Sequence, residues 1–99
     1  MIVDIKAEWC GPCKALSPII HQVAAEMGEK VLVGMLDADS NEELCKRLEV
    51  RNIPTLLYYK NGELKERTTG MKQKKEITGI VNSLLSEKEE TNFDTETTF

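Results

Sequence analysis

The sequence predicts an α/β domain in which a four-stranded mixed β-sheet carries three helices packed on both faces. Three observations point there: a strand-helix-strand-helix order through the first half, an Asn-Gly step between two strand-like runs, and a C-terminal segment with one apolar stripe. Ile2, Val3 and Ile5 form a short apolar strand. From Pro12 to Met27, Leu16, Ile19, Ile20, Val23, Ala24 and Met27 recur at helical spacing, and Gly28 ends the run. Pro18 falls inside this helix, where its missing N–H and its ring predict a kink over residues 14–17. Residues 31–37 are apolar and β-branched and read as a second strand, and Asn41 is placed to cap a short helix that turns Leu44, Cys45 and Leu48 inward. Residues 55–59 and 64–69 flank Lys60-Asn61-Gly62-Glu63, and Asn-Gly is the strongest short-range hairpin signal, so these strands pair antiparallel. Ile77, Ile80, Val81, Leu84 and Leu85 repeat on one helical face, which predicts an amphipathic helix over 72–86 covering the sheet.

Composition narrows the class. At 99 residues with 40% hydrophobic and 30% charged, the chain supports one modest core, and no apolar run approaches the roughly 20 residues that span a bilayer. Asp4, Lys6 and Glu8 interrupt the N-terminal segment, so an export signal is not expected. Three cysteines are too few and too odd for a stapled secreted scaffold, which points to a reducing, cytoplasmic location. The net charge of −4 resides in residues 87–99, where Glu87, Glu89, Glu90, Asp94 and Glu96 face only Lys88. This Thr- and Glu-rich stretch is expected to be a disordered acidic tail beyond a domain over 1–86. Without the tail the chain is neutral and has no basic stripe, so neither nucleic acid nor a membrane surface is an expected partner.

Trp9-Cys10-Gly11-Pro12-Cys13-Lys14 carries the chemistry. Two cysteines three positions apart, after a strand and at the start of a helix, can exchange a disulfide. Unsatisfied N–H groups and the positive end of the helix dipole favour an anion at Cys10, which reads as the nucleophile. Cys13, one turn further in, is placed to attack a mixed disulfide on Cys10 and reads as the resolving thiol.

The WCGPCK motif, Asp4 six residues before Cys10, the Ile53-Pro54-Thr55 step before a strand, the Asn61-Gly62 hairpin and Gly70 together resemble the thioredoxin family over nearly all of residues 2–85. The resemblance implies the thioredoxin fold and a protein disulfide reductase that needs no bound cofactor, because the Cys10/Cys13 pair carries the electrons. Its implied partners are disulfide-containing proteins and a thioredoxin reductase that restores the dithiol. Gly11-Pro12 is the pair of the reducing members, where isomerase and oxidase relatives usually carry histidine in place of the proline. Asp4 is implied to be a buried carboxylate behind Cys13 that accepts and returns its proton, with a pKa raised by desolvation. The Ile53–Pro54 bond is implied to be cis, and the Ile53 backbone to pair with an extended substrate segment in a groove completed by Trp9, Gly11, Pro12, Gly70 and Met71.

Competing readings are few. A disulfide isomerase or oxidant would differ in the poise of the cysteine pair, and a redox-independent binding module would keep the groove and survive loss of both cysteines. Cys45 is read as core, and His21 as a solvated helix residue. A zinc site from Cys10, Cys13, Cys45 and His21 matches no ligand spacing, so no metal is expected. Three departures from the family pattern matter. The chain starts at the strand bearing Asp4, without the family's leading strand and helix, so strand 31–37 becomes an edge open to self-association. Lys6 stands where many relatives have an aromatic residue, and Met35 where several place a lysine near the buried carboxylate. Strand alternation puts Lys6 on the face of Asp4, where it can supply that cation.

Overall fold

The computed structural model describes the backbone of residues 1–97 and the side chains of residues 1–86. The chain runs β1 (Ile2–Lys6), α1 (Gly11–Met27), one 3₁₀ turn (Gly28–Lys30), β2 (Val33–Asp37), α2 (Glu42–Arg47), β3 (Thr55–Lys60), β4 (Glu63–Thr69) and α3 (Lys74–Thr97). The tail expected over 87–99 falls outside the residues whose side chains are described.

The four strands form one mixed sheet in the order β2-β1-β3-β4. β1 pairs parallel with β2, Asp4 beside Met35 and Lys6 beside Asp37. β3 pairs antiparallel with both β1 and β4. The β3–β4 hairpin turns where expected, with Asn61 and Gly62 at φ 54° and 81°, a left-handed pair that this dipeptide tolerates. A register irregularity at Tyr58/Tyr59 lies just before the turn.

Side-chain alternation divides the core between the two faces of the sheet. On one face Ile2, Leu56 and Tyr58 pack against Leu16, Ile20 and Val23 of α1 and Ile77 and Val81 of α3. On the other, Ile5 and Leu57 pack against Cys45 of α2, with Leu48, Val50 and Ile53 around them. α1 remains one helix through Pro18, held by the buried stripe Cys13, Leu16, Ile20 and Val23. Asn41 occupies the N-cap position of α2 but makes no capping bond; its side-chain amide donates to the Asp37 carbonyl at 2.9 Å. Asp37 in turn accepts from the Ser40 N–H and hydroxyl, so the β2–α2 connection closes on itself.

β2 is an edge strand, as the sequence predicts, with Met35 exposed on it and Leu32 exposed just before it. The six-residue α2 leaves part of its sheet face open. A groove of about 450 Å³, lined by Val3, Leu36, Leu44, Leu48, Leu57 and Tyr59 among others, runs beside that edge.

Candidate active site

Cys10 is the N-cap of α1 in extended conformation, and its sulfur accepts the Cys13 N–H at 3.1 Å. A sulfur thus does the work usually given to a Ser, Thr or Asp oxygen at a helix start. No acidic side chain lies in the first turn of α1. Nothing there opposes negative charge on Cys10 once the disulfide opens, and the helix dipole favours it. Cys10 and Cys13 form a disulfide with Cα atoms 5.2 Å apart, and with Ala7 they make a small buried cluster against Ile53.

The sequence-predicted site residues lie on three connections, of which the one bearing Ile53 packs on this pair. Trp9 is 69% exposed beside Cys10, its indole N–H donating to Asp39 at 2.8 Å, which ties the motif to the β2–α2 turn. Gly11 and Pro12 are exposed. A Cβ on Gly11 would meet nothing within 4 Å. The fold therefore does not demand glycine there. Ile53 precedes a cis bond to Pro54. Gly70, at φ 89°, donates its N–H to the Pro54 carbonyl at 2.8 Å, bringing the β4–α3 connection and the exposed Met71 to this loop. Among the described residues the Ile53 N–H and carbonyl enter no hydrogen bond.

Asp4 lies on the α1 side of the sheet, between Ile2, which sits in the α1/α3 core, and Ala7, which packs on the two cysteines. It is 1% exposed, and neither carboxylate oxygen has a hydrogen-bond partner. Burial raises its pKa above the ordinary aspartate value, and the charges of Lys6 and then His21 oppose that rise. Lys6 shares Asp4's strand face and lines, with Cys13, Lys14, Ser17 and Asp37, an open recess of about 610 Å³. The solvated His21 therefore has an electrostatic reach that its exposure did not suggest. Cys45 is buried in the opposite core cluster. Among the described residues no three His, Cys, Asp or Glu side chains gather as metal ligands.

Comparison with known proteins gives these features a context. Residues 1–83 match the family model described as Thioredoxin. Over 85 residues the chain is 44% identical to the thioredoxin of Rickettsia typhi, covering 86% of this chain and 81% of that protein. The chain belongs to the thioredoxin family. It is likewise 39% identical over 85 residues to the thioredoxin of Bacillus subtilis, covering 86% and 82% of the two chains. It is 38% identical over 86 residues to the chloroplastic M-type thioredoxin of Spinacia oleracea, covering 87% of this chain and 48% of that one. Membership and the Cys10–Cys13 disulfide together make the protein a thioredoxin-type thiol–disulfide oxidoreductase that works as a dithiol–disulfide reductase. Disulfide-bearing proteins and a thioredoxin reductase are the partners that the family implies.

Sequence reasoning did not find Asp39 as the partner of Trp9: thirty positions separate them, and no local pattern links an indole to a turn carboxylate.

Asp4 yields two predictions. Its raised folded-state pKa means that the native state holds the proton more tightly than the unfolded chain does. Stability is therefore full below the unfolded pKa, falls as pH rises through the folded pKa, and stays low above it. Asp4→Asn, nearly isosteric but unable to ionise, should accordingly stabilise the oxidised protein at neutral pH by on the order of 1 kcal/mol or more, because it carries no buried charge to desolvate. The gain should shrink toward zero below about pH 4, near the unfolded aspartate value; urea unfolding at a series of pH values measures it, and equal gains at every pH would contradict it. Lys6→Met removes an opposing charge, so it should move the Asp4 carboxyl titration followed by NMR to higher pH. An unmoved titration would show that the two groups are not coupled.

Proposed function

We propose that Cys10, Cys13 and Asp4 divide the reductase reaction among them. The Cys10 thiolate attacks one sulfur of a partner's disulfide; the partner's other sulfur leaves as a thiolate, and a mixed disulfide joins Cys10 to the partner. Asp4, as carboxylate, takes the proton of Cys13, whose sulfur then attacks Cys10 and releases the partner's second thiol. Two electrons pass to the substrate, and the Cys10–Cys13 disulfide is left for a thioredoxin reductase to reduce. The observation that carries this reading is the cysteine pair at the α1 N-terminus, with an unpartnered buried carboxylate on the same side of the sheet.

Substrate binding is assigned to the free main chain of Ile53, which would pair with an extended partner segment as an added strand, with Trp9, Gly11, Pro12, Pro54, Gly70 and Met71 forming the surrounding surface. Main-chain pairing suits a reductase that must accept many sequences. The proposed setting is a reducing cytoplasm, where the dithiol serves electron transfer and redox balance; the small, odd cysteine count supports it. The catalytic domain is taken as residues 1–86, with the acidic stretch 87–99 outside it.

Self-association through strand 31–37 is part of the proposal. Antiparallel pairing of β2 with its copy about Met35 would set Asp37 opposite Val33, so no like charges meet, and would extend the sheet beside the apolar groove.

Cys13→Ser should trap the partner, accumulating a mixed disulfide on Cys10 that mass spectrometry identifies, whereas Cys10→Ser should trap none. Capture on both variants alike would contradict the assigned roles. In sedimentation velocity the chain should dimerise with rising concentration, and Met35→Lys should keep it monomeric; a wild-type monomer at the highest concentration would remove the edge-pairing proposal.

A further inference from the structure

Arg67 lies on β4 opposite Leu57, on the sheet face that carries α2. Its guanidinium spans to the end of α2: Nη2 donates to the Leu48 carbonyl at 2.7 Å and Nη1 to the Glu49 carbonyl at 3.1 Å. These carbonyls belong to a tight helix stop. The Val50 N–H reaches the Cys45 carbonyl at 2.9 Å and the Glu49 N–H the Lys46 carbonyl at 3.0 Å, the paired bonds of a Schellman cap. Such a cap needs its left-handed residue at Glu49, and φ there is 58°. Glycine fills that position at no steric cost, but a side-chain-bearing residue is strained in it. The turn is therefore one that this sequence does not favour locally, and the Arg67 fork grips it from a strand eighteen or nineteen positions away.

The turn sets the course of residues 50–53. Val50 packs into the α2-side cluster, and three residues on, Ile53 contacts both that cluster and the Cys10/Cys13 cluster. With no hydrogen bond of its own, the Ile53 main chain is positioned by its two ends: the Pro54 carbonyl held by Gly70, and the helix stop held by Arg67.

We propose that Arg67 is a positioning residue for substrate docking, fixing the Ile53 main chain beside the disulfide by clamping the strained end of α2. The inference rests on the reading that Ile53 pairs with substrate. Arg67 touches neither cysteine, so its effect should fall on binding of extended substrates and not on sulfur chemistry.

The test compares Arg67→Met, Arg67→Lys and the double variant Arg67→Met/Glu49→Gly. Each is assayed on insulin, a protein disulfide, and on 5,5′-dithiobis(2-nitrobenzoate), a small disulfide with no strand to dock. The expected result for Arg67→Met is a KM for insulin raised roughly fivefold or more with kcat little changed, and an aromatic-disulfide rate within about twofold of wild type. Arg67→Lys, which keeps the charge but loses the fork, should fall between. Glu49→Gly in the Arg67→Met background should bring KM back toward wild type, because glycine holds the turn unaided. An unchanged KM, equal losses on both substrates, or no rescue by glycine would overturn the proposal. A separate measurement isolates the underlying reading. In a Cys13→Ser mixed disulfide with a short peptide, the Ile53 amide resonance should shift; if it does not, docking on Ile53 fails and the role of Arg67 fails with it. A shifted Ile53 amide with unchanged Arg67→Met kinetics overturns the Arg67 role alone.

Discussion

The Cys10 sulfur serves two structures at once, as the cap of α1 and as half of the redox pair. A helix start must satisfy N–H groups that have no carbonyl within the helix, and here one of them, on Cys13, points at the Cys10 sulfur. The geometry that caps the helix therefore also directs a backbone donor and the helix dipole at one half of the redox pair. It holds only while α1 stays in register with the sheet, which Leu16, Ile20 and Val23 secure by burial against Ile2, Leu56 and Tyr58. The buried stripe of α1 also carries Cys13, and both cysteines are buried, Cys10 at 4% and Cys13 at 2% exposure.

Asp4 shows the opposite relation between stability and function. A carboxylate with both oxygens buried and unpartnered costs the fold free energy that an apolar residue would not. Its neighbours across the sheet are Met35 and Leu56, neither with a side chain able to donate a hydrogen bond. Among the described residues, relief comes from the charges of Lys6 and His21. A raised pKa is what the proposed proton exchange with Cys13 calls for, since a donor and acceptor work best when their affinities approach each other. Lys6 and Cys13 line one open recess.

Much of this was legible in the residues because it is local. Helical spacing in 12–27, the Asn61-Gly62 turn and the cysteine spacing all act over a few positions, and the structure reproduces each of them. The edge position of β2 also came from the sequence, once the strand order was inferred from the family resemblance. What escaped is long-range or runs against local preference. The Trp9–Asp39 bond and the Arg67 fork join residues far apart in sequence. Asn41 sits at a helix start, yet spends its amide on the strand before it. Glu49 adopts a left-handed conformation that its residue type disfavours, so no propensity could have placed the helix stop there.

Everything in this chemistry depends on Cys10 and Cys13 forming a two-electron couple poised to reduce other proteins. That poise is measured by equilibrating the protein in glutathione buffers of graded potential, reading the pair by fluorescence of the single tryptophan, Trp9, and counting thiols by mass. A two-electron midpoint below about −220 mV is expected, reducing enough to donate to protein disulfides in a cytosolic thiol pool. A midpoint near about −180 mV or above would make the pair an oxidant or isomerase couple and refute the reductase assignment, as would a pair that forms no disulfide at any potential.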